Sequence, residues 1–269
     1  MVLPNFNENL KKYAELLVVT GINVSEGHTV VLSVDVDQAP LARLITAAAY
    51  ERGAKEVIVK WADDELSRLH YTNQDLETLT TVPESKTVEM HEMIEAGASR
   101  ISVRSSAPDA LAGIDPTKIA EARKASSIAL RPMMEVTQAN KVSWLVAAAA
   151  GADWAAKVFP DLDSADEQVD ALWDAIFNSV HLYEEDPIAH WAKKVDTLQS
   201  KADELNSEKF SALHFKGPGT DLVVGLPELH RFEGAGSTNA RGEVFVANLP
   251  TEEVFSAPDA NRVDGTIVS

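Results

Sequence analysis

Between Asn248 and Asp259 the sequence reads Asn-Leu-Pro-Thr-Glu-Glu-Val-Phe-Ser-Ala-Pro-Asp, which sets Glu252 and Glu253 between two prolines, directly after a strand-like run. A carboxylate on a stiff, proline-bracketed segment is a good donor to a hard metal ion, because little entropy is lost in fixing it. Adjacent residues point in different directions, so only one of the two can serve a given cavity. Acidic pairs are also ordinary surface features, and from spacing alone this one reads first as a solvated acidic turn.

Three other stretches carry reactive side chains. Asp35-Val36-Asp37 ends a strand-like run, the place where open α/β sheets bind ligands, and alternate positions could turn both carboxylates into one crevice. Acidic residues also simply close strands and begin turns, which is the plainer reading. His91-Glu92-Met93-Ile94-Glu95 has the opening of the helical His-Glu-x-x-His zinc motif, but its last position is Glu95, so an amphipathic helix with a solvated acidic face is expected. Gly234-Ala235-Gly236-Ser237 lacks the strand before and the helix after that a phosphate loop needs, and reads as a flexible loop. The sequence contains no cysteine, no Gly-x-Ser-x-Gly elbow and seven dispersed histidines. Thiolate zinc sites, disulfides and a cysteine nucleophile are thereby excluded, and any metal must take oxygen or imidazole ligands.

The elements that would position these residues alternate along the first two-thirds of the chain. A helix is expected over Phe6–Val19, strands over Thr29–Asp35 and Glu56–Ala62, and a helix from Pro40 to Arg52 ended by Gly53. Asp63 or Asp64 could cap the next helix. Further helix is expected over Thr87–Ala96 and Pro116–Ala139, with strands at Arg100–Val103 and Val142–Ala149. Such alternation predicts an α/β fold with a mainly parallel sheet flanked by helices. After Gly151 come helices over Trp154–Val158, Ala165–Val180 and Pro187–Asn206. From Phe210 the text turns β-rich: Ser211–Lys216 and Asp221–Leu226 flank the turn Gly217-Pro218-Gly219-Thr220, with further strands at Glu243–Ala247 and Arg262–Val268. A boundary near Asn206 divides the chain into residues 1–206, an α/β domain, and 207–269, the β-rich start of a second domain that stops within a strand-like run at Ser269.

The 269 residues carry 24 basic and 42 acidic side chains, a formal net charge of −18. That balance argues against binding nucleic acid or an anionic membrane surface. Charged residues interrupt the N-terminus where a signal peptide needs an apolar core, and Val142–Ala152, the longest apolar stretch, is too short to span a bilayer. A cytoplasmic protein is the expectation.

The Asn-Leu-Pro-Thr-Glu-Glu-Val-Phe-Ser-Ala-Pro-Asp segment resembles the motif of the aminopeptidase T / AmpS / PepS family of metallo-aminopeptidases, most nearly its streptococcal PepS type. The likeness extends along the chain through Gly242–Asn248 and the N-terminal pattern of Asn9, Lys12, Tyr13, Ala14, Leu16, Val18, Gly21, Asn23 and Val24. It implies a cytoplasmic, homodimeric exopeptidase that removes N-terminal residues from peptides with two adjacent divalent metals per site, zinc, cobalt or similar. Of the Glu pair, Glu253 is carried over as a metal ligand, with Glu252 the second choice. The other ligands of the family pattern (a further Glu, two His, a Tyr and an Asp) fall beyond Ser269. The chain is therefore expected to be the N-terminal portion of such an enzyme, with no catalytic residue of its own and no activity alone. Two readings from other classes stand beside it: a nucleotide- or small-molecule-binding doubly wound domain, though no glycine fingerprint follows Thr29–Asp35, and a dimerisation module using the Trp-rich helices after Gly151.

Overall fold

The computed structural model describes residues 3–268. Met1, Val2 and Ser269 lie outside them, so the expected interruption of a strand at Ser269 does too. The fold divides into two compact units, Met1–His190 with Ser237–Pro250, and Trp191–Gly236 with Thr251–Ser269. The sequence suggested a single cut at 206; the packing instead divides the chain inside a helix and returns a later segment to the first unit.

In the first unit, helix α1 (Phe6–Leu16) turns Leu10, Tyr13 and Ala14 inward, and one wider π turn at Leu17–Gly21 extends it. Strand β1 (Thr29–Asp35) leads to α2 (Ala39–Glu51). Pro40 sits in the first turn of α2, where a missing N–H costs nothing, and Gly53 takes a positive φ of 89° just beyond its end. Strand β2 (Glu56–Ala62) is followed by α3 (Asp64–Asn73), whose start Asp63 caps by accepting the Leu66 N–H at 2.9 Å. Helices α4 (Leu76–Thr80) and α5 (Glu84–Glu95) precede β3 (Ser99–Arg104). The single helix expected over Pro116–Ala139 is two, α6 (Pro116–Ala129) and α7 (Arg131–Gln138). Pro132 is the reason, since it cannot donate into the preceding helix's ladder. Strand β4 (Trp144–Ala148), α8 (Ala152–Val158) and α9 (Ala165–Ser179) follow, and α10 (Pro187–Glu208) carries the chain from His190 into the second unit at Trp191.

All pairings in the main sheet are parallel, in the order β2-β1-β3-β4. Its fifth strand comes from far along the chain. Asn248–Leu249 pairs in parallel with Val146 and Ala147 of β4 and gives the sheet a new edge. A two-residue strand has no periodicity to read, and Pro250 ends it at once.

The two faces of this sheet differ. Val30, Leu32, Val34, Ile101, Val103, Leu145 and Ala147 form a dry face, against which α1, its π turn and α2 pack. Burying each of the larger side chains contributes about 1.5–3 kcal/mol. The register places Val31, Ser33, Lys60, Arg100, Ser102 and Val146 on the other face, where Val31 is buried, Val146 is exposed and the rest are partly buried. Against α1, Trp173 and Phe177 of α9 stack edge-on to Tyr13 at 6.2 and 5.8 Å. Trp173 and Trp191 are both buried and serve as core aromatics, whereas Trp154 of α8 is only partly buried.

The second unit contains the antiparallel hairpin β5 (Ala212–Gly217) and β6 (Thr220–Gly225), joined at Pro218-Gly219 with Gly219 at φ 72°. Next along the chain, in the segment that returns to the first unit, come two short strands of a separate two-stranded sheet, β7 (Gly236–Thr238) and β8 (Val244–Val246), and the edge strand Asn248–Leu249, which is β9. Strand β10 (Val263–Ile267) pairs antiparallel with β6. Ala202 of α10, Leu226 and Phe232 form this unit's core, with Leu205, Leu213 and Val254 against it.

Tyr13 is fully buried, and its hydroxyl donates to the Ala148 carbonyl at 2.8 Å, at the end of β4. Burial drives its phenol far above the ordinary range, so it remains a neutral donor. Tyr13→Phe keeps the ring but removes that donor, and is expected to lower stability by about 1 kcal/mol in urea denaturation. An unchanged midpoint would show that water replaces the hydroxyl.

Candidate functional site

The segment carrying Glu252 and Glu253 leaves β9 through Pro250 and is held within the second unit from both sides. Downstream, Phe255 exchanges backbone hydrogen bonds with Glu233 at 2.9 and 3.0 Å, and Ser256 Oγ donates to the Arg231 carbonyl at 2.8 Å. Val254 packs on the core formed by Ala202, Leu226 and Phe232. Glu252 forms an ion pair with Lys194 of α10. Glu253 is exposed, and no hydrogen bond or ion pair within the described residues engages its carboxylate. Glu252 is thus held by an ammonium, whereas its neighbour's oxygens are available to a ligand.

One carboxylate does not make a metal centre. Among the described residues, no group of three or more His, Asp or Glu side chains is placed to hold an ion. These residues therefore do not fit a complete dinuclear site, and no catalytic step is assigned to them.

Asp35 and Asp37 do meet in one crevice at the C-terminal ends of the parallel strands. Asp35 accepts from Ser105 N–H at 3.2 Å, Ser105 Oγ at 2.8 Å and Ser106 Oγ at 3.2 Å. Asp37 accepts from Ser105 Oγ at 3.3 Å and from the Gln38 amide at 3.0 Å. These bonds tie the end of β1 to the end of β3. Gly151 closes the crevice by close approach, since a Cβ there would lie 2.1 Å from the Ser105 carbonyl oxygen. With Asp63, Asp64 and Asp153 also at its rim, the mouth repels phosphate and does not favour the nucleotide reading. His91, Glu92 and Glu95 are exposed on α5. The glycine stretch at 234–237 is not a loose loop: a Cβ on Gly234 would lie 2.9 Å from the Leu198 and Gln199 backbone of α10, and Ala235 is buried.

One polar cluster was not visible as a motif, because its members lie 218 positions apart. Ser25 Oγ lies 2.9 Å from His28 Nε2 and donates to Glu243 at 3.2 Å, while Glu243 lies 3.1 Å from the same ring nitrogen. Asn239 binds the second Glu243 oxygen at 2.7 Å and also donates to Ser143 Oγ at 2.9 Å. The residue types are those of a nucleophilic triad, but the arrangement is not. Serine and carboxylate meet at one ring nitrogen, whereas a general base needs them on opposite nitrogens. The cluster instead fastens the returning segment to the start of β1, aided by Asn23 donating to the Val244 carbonyl at 2.9 Å.

The profile of the thermophilic metalloprotease family (M29) matches residues 6–269. Aminopeptidase PepS of Streptococcus thermophilus is 52% identical over 269 residues, all of this chain and 65% of that protein. Aminopeptidase AmpS of Bacillus subtilis is 42% identical over 267 residues, 99% of this chain and 65% of that protein. The solved structure of wild-type AmpT from Thermus thermophilus matches with a TM-score of 0.89 at 38% identity, covering 97% of this chain and 64% of that one. The chain thus spans about 65% of the length of these relatives.

Burial, with Arg241 adding to it, holds His28 below its ordinary pKa against the pull of Glu243, so the ring is neutral near pH 7. The unfolded chain protonates this ring as pH falls through about 6.5. Stability supplied by the neutral ring is therefore present above that pH and lost below it. Burial raises Glu243, but Asn239, His28, Ser25 and Arg241 outweigh it and hold the carboxyl below its ordinary range. Its contribution is lost at lower pH, as pH falls through the carboxylate range. Thermal melts are expected to show a smaller loss between pH 7.5 and 5.5 in His28→Gln than in the parent chain; equal losses would remove His28 from the account. Glu243→Ala is expected to cost about 2 kcal/mol, because several donors lose their acceptor.

Proposed function

The chain belongs to the thermophilic metalloprotease family M29, and from that premise we propose that it is part of a metal-dependent aminopeptidase that removes N-terminal residues from peptides. The relatives that support this reading are named aminopeptidases. Within it, Glu253 donates one carboxylate to a centre of two divalent metals whose further ligands are not among the described residues. The observation that carries the assignment is the division of labour in the acidic pair: Lys194 engages Glu252, and Glu253 has no ion-pair or hydrogen-bond partner among the described residues. The proposal also includes a homodimer in the cytoplasm. Among the described residues, no helix is long and apolar enough to cross a membrane.

A net charge of −18 suits a peptide substrate, whose reacting end carries a positive ammonium. By themselves the 269 residues are proposed to be inactive, since one carboxylate cannot hold two metals in fixed geometry.

Two assays test this. The purified chain, freed of contaminating peptidases, is expected to release no anilide from an aminoacyl anilide in zinc or cobalt; release abolished by a chelator would overturn the inactivity. In the native gene product, Glu253→Ala is expected to reduce anilide release by at least about 100-fold, because even groups that merely orient metal ligands cost 10–100-fold when lost. Glu252→Ala is expected to leave the rate within a few-fold of the parent. The reverse order would move the ligand to Glu252, and full activity in both variants would remove the pair from the metal site.

A further inference from the structure

The partly covered face of the main sheet contains an open cavity of about 400 Å³, bordered by α5, α7 and the end of α6. Its volume falls in the range of small-molecule sites, roughly 300–1,000 Å³. Apart from Met1, every methionine of the sequence lines it: Met90 and Met93 from α5, and Met133 and Met134 from α7. Methionine is flexible and polarisable, and surfaces built from it adapt to apolar ligands of varied shape.

The lining is cationic in a strongly acidic protein. Lys60, Lys86 and Arg100 line the cavity against one carboxylate, Glu89, and Lys60 already pairs with Glu89. Arg100 projects from the central strand β3, half-buried. Its guanidinium donates to Thr137 Oγ1 at 3.3 Å, and no carboxylate among the described residues lies within ion-pair distance. Burial, with the neighbouring charge of Arg104, lowers the pKa of the guanidinium. A charge withdrawn from water is costly unless it is paired. An unpaired guanidinium beside four methionines is complementary to a ligand with an anionic head and an apolar body.

We propose that this cavity binds a small amphipathic carboxylate, its head on Arg100 and its apolar tail among Met90, Met93, Met133 and Met134. The planar fork of the guanidinium matches a carboxylate through two parallel hydrogen bonds, and Lys86 adds a second positive charge. Lys60 remains occupied by Glu89. The site lies wholly within the first unit and does not involve Glu253, so it stands or falls independently of the peptidase reading.

Methionine-methyl NMR tests it directly, using sodium octanoate as the probe and 1-octanol as its uncharged counterpart. Octanoate is expected to shift the four cavity methyl signals together and saturably, with 1-octanol binding at least about tenfold more weakly. Arg100→Gln is expected to weaken octanoate by a similar factor and to leave 1-octanol unchanged. Absence of a saturable shift at millimolar octanoate would overturn the proposal, as would equal binding of acid and alcohol to the parent chain. The parent comparison decides the matter even if the Arg100 variant fails to fold.

Discussion

A parallel sheet with one dry face and one partly covered face of mixed character is the constraint on which the first unit depends. Parallel strands are commonly apolar on both sides, because crossover helices cover both. Here β3 and β4 alternate between buried and more exposed positions, Ile101 beside Ser102 and Leu145 beside Val146, and β1 does so from Leu32 and Ser33 onward. Register is thereby strongly specified, since a slip of one residue would drive Arg100 and Ser33 into the core formed with α1 and α2. The same alternation places cationic side chains over a methionine-lined space and leaves the strand ends to the bonds from Asp35 and Asp37.

The edge strand β9 depends on a second polar arrangement. Residues 237–250 return to the main sheet after a long excursion, and the Ser25, His28, Asn239 and Glu243 cluster anchors that return at the base of β1. Buried polar groups of this kind are costly unless every partner is supplied. Here Glu243 accepts at both oxygens, and Asn239 is bonded through both its amide nitrogen and its carbonyl oxygen.

Much of this organisation was legible in the sequence, for reasons that differ by element. Strands β1 and β2 could be read to the residue, because β-branched runs are bounded by Asp and Gly. Proline at a first turn and glycine beyond a last one marked α2 equally well. The break at Leu130 was missed although Pro132 announced it, because the apolar pattern continues across the interruption. The return of β9, the compactness of Gly234 against α10 and the His28–Glu243 pairing were not legible, since each depends on contacts between distant positions. The motif around Glu253 was recognisable only by family likeness. Spacing alone could not choose between the two glutamates, and the choice now rests on Lys194, whose position in space no local pattern encodes.

The most direct test of the metal assignment is an anomalous difference map from crystals of the native gene product grown with zinc. The account requires a peak at about 2.0–2.2 Å from a carboxylate oxygen of Glu253, the usual zinc–carboxylate distance, with Glu252 turned toward Lys194. A map with its zinc peaks elsewhere and Glu253 free in solvent would contradict it.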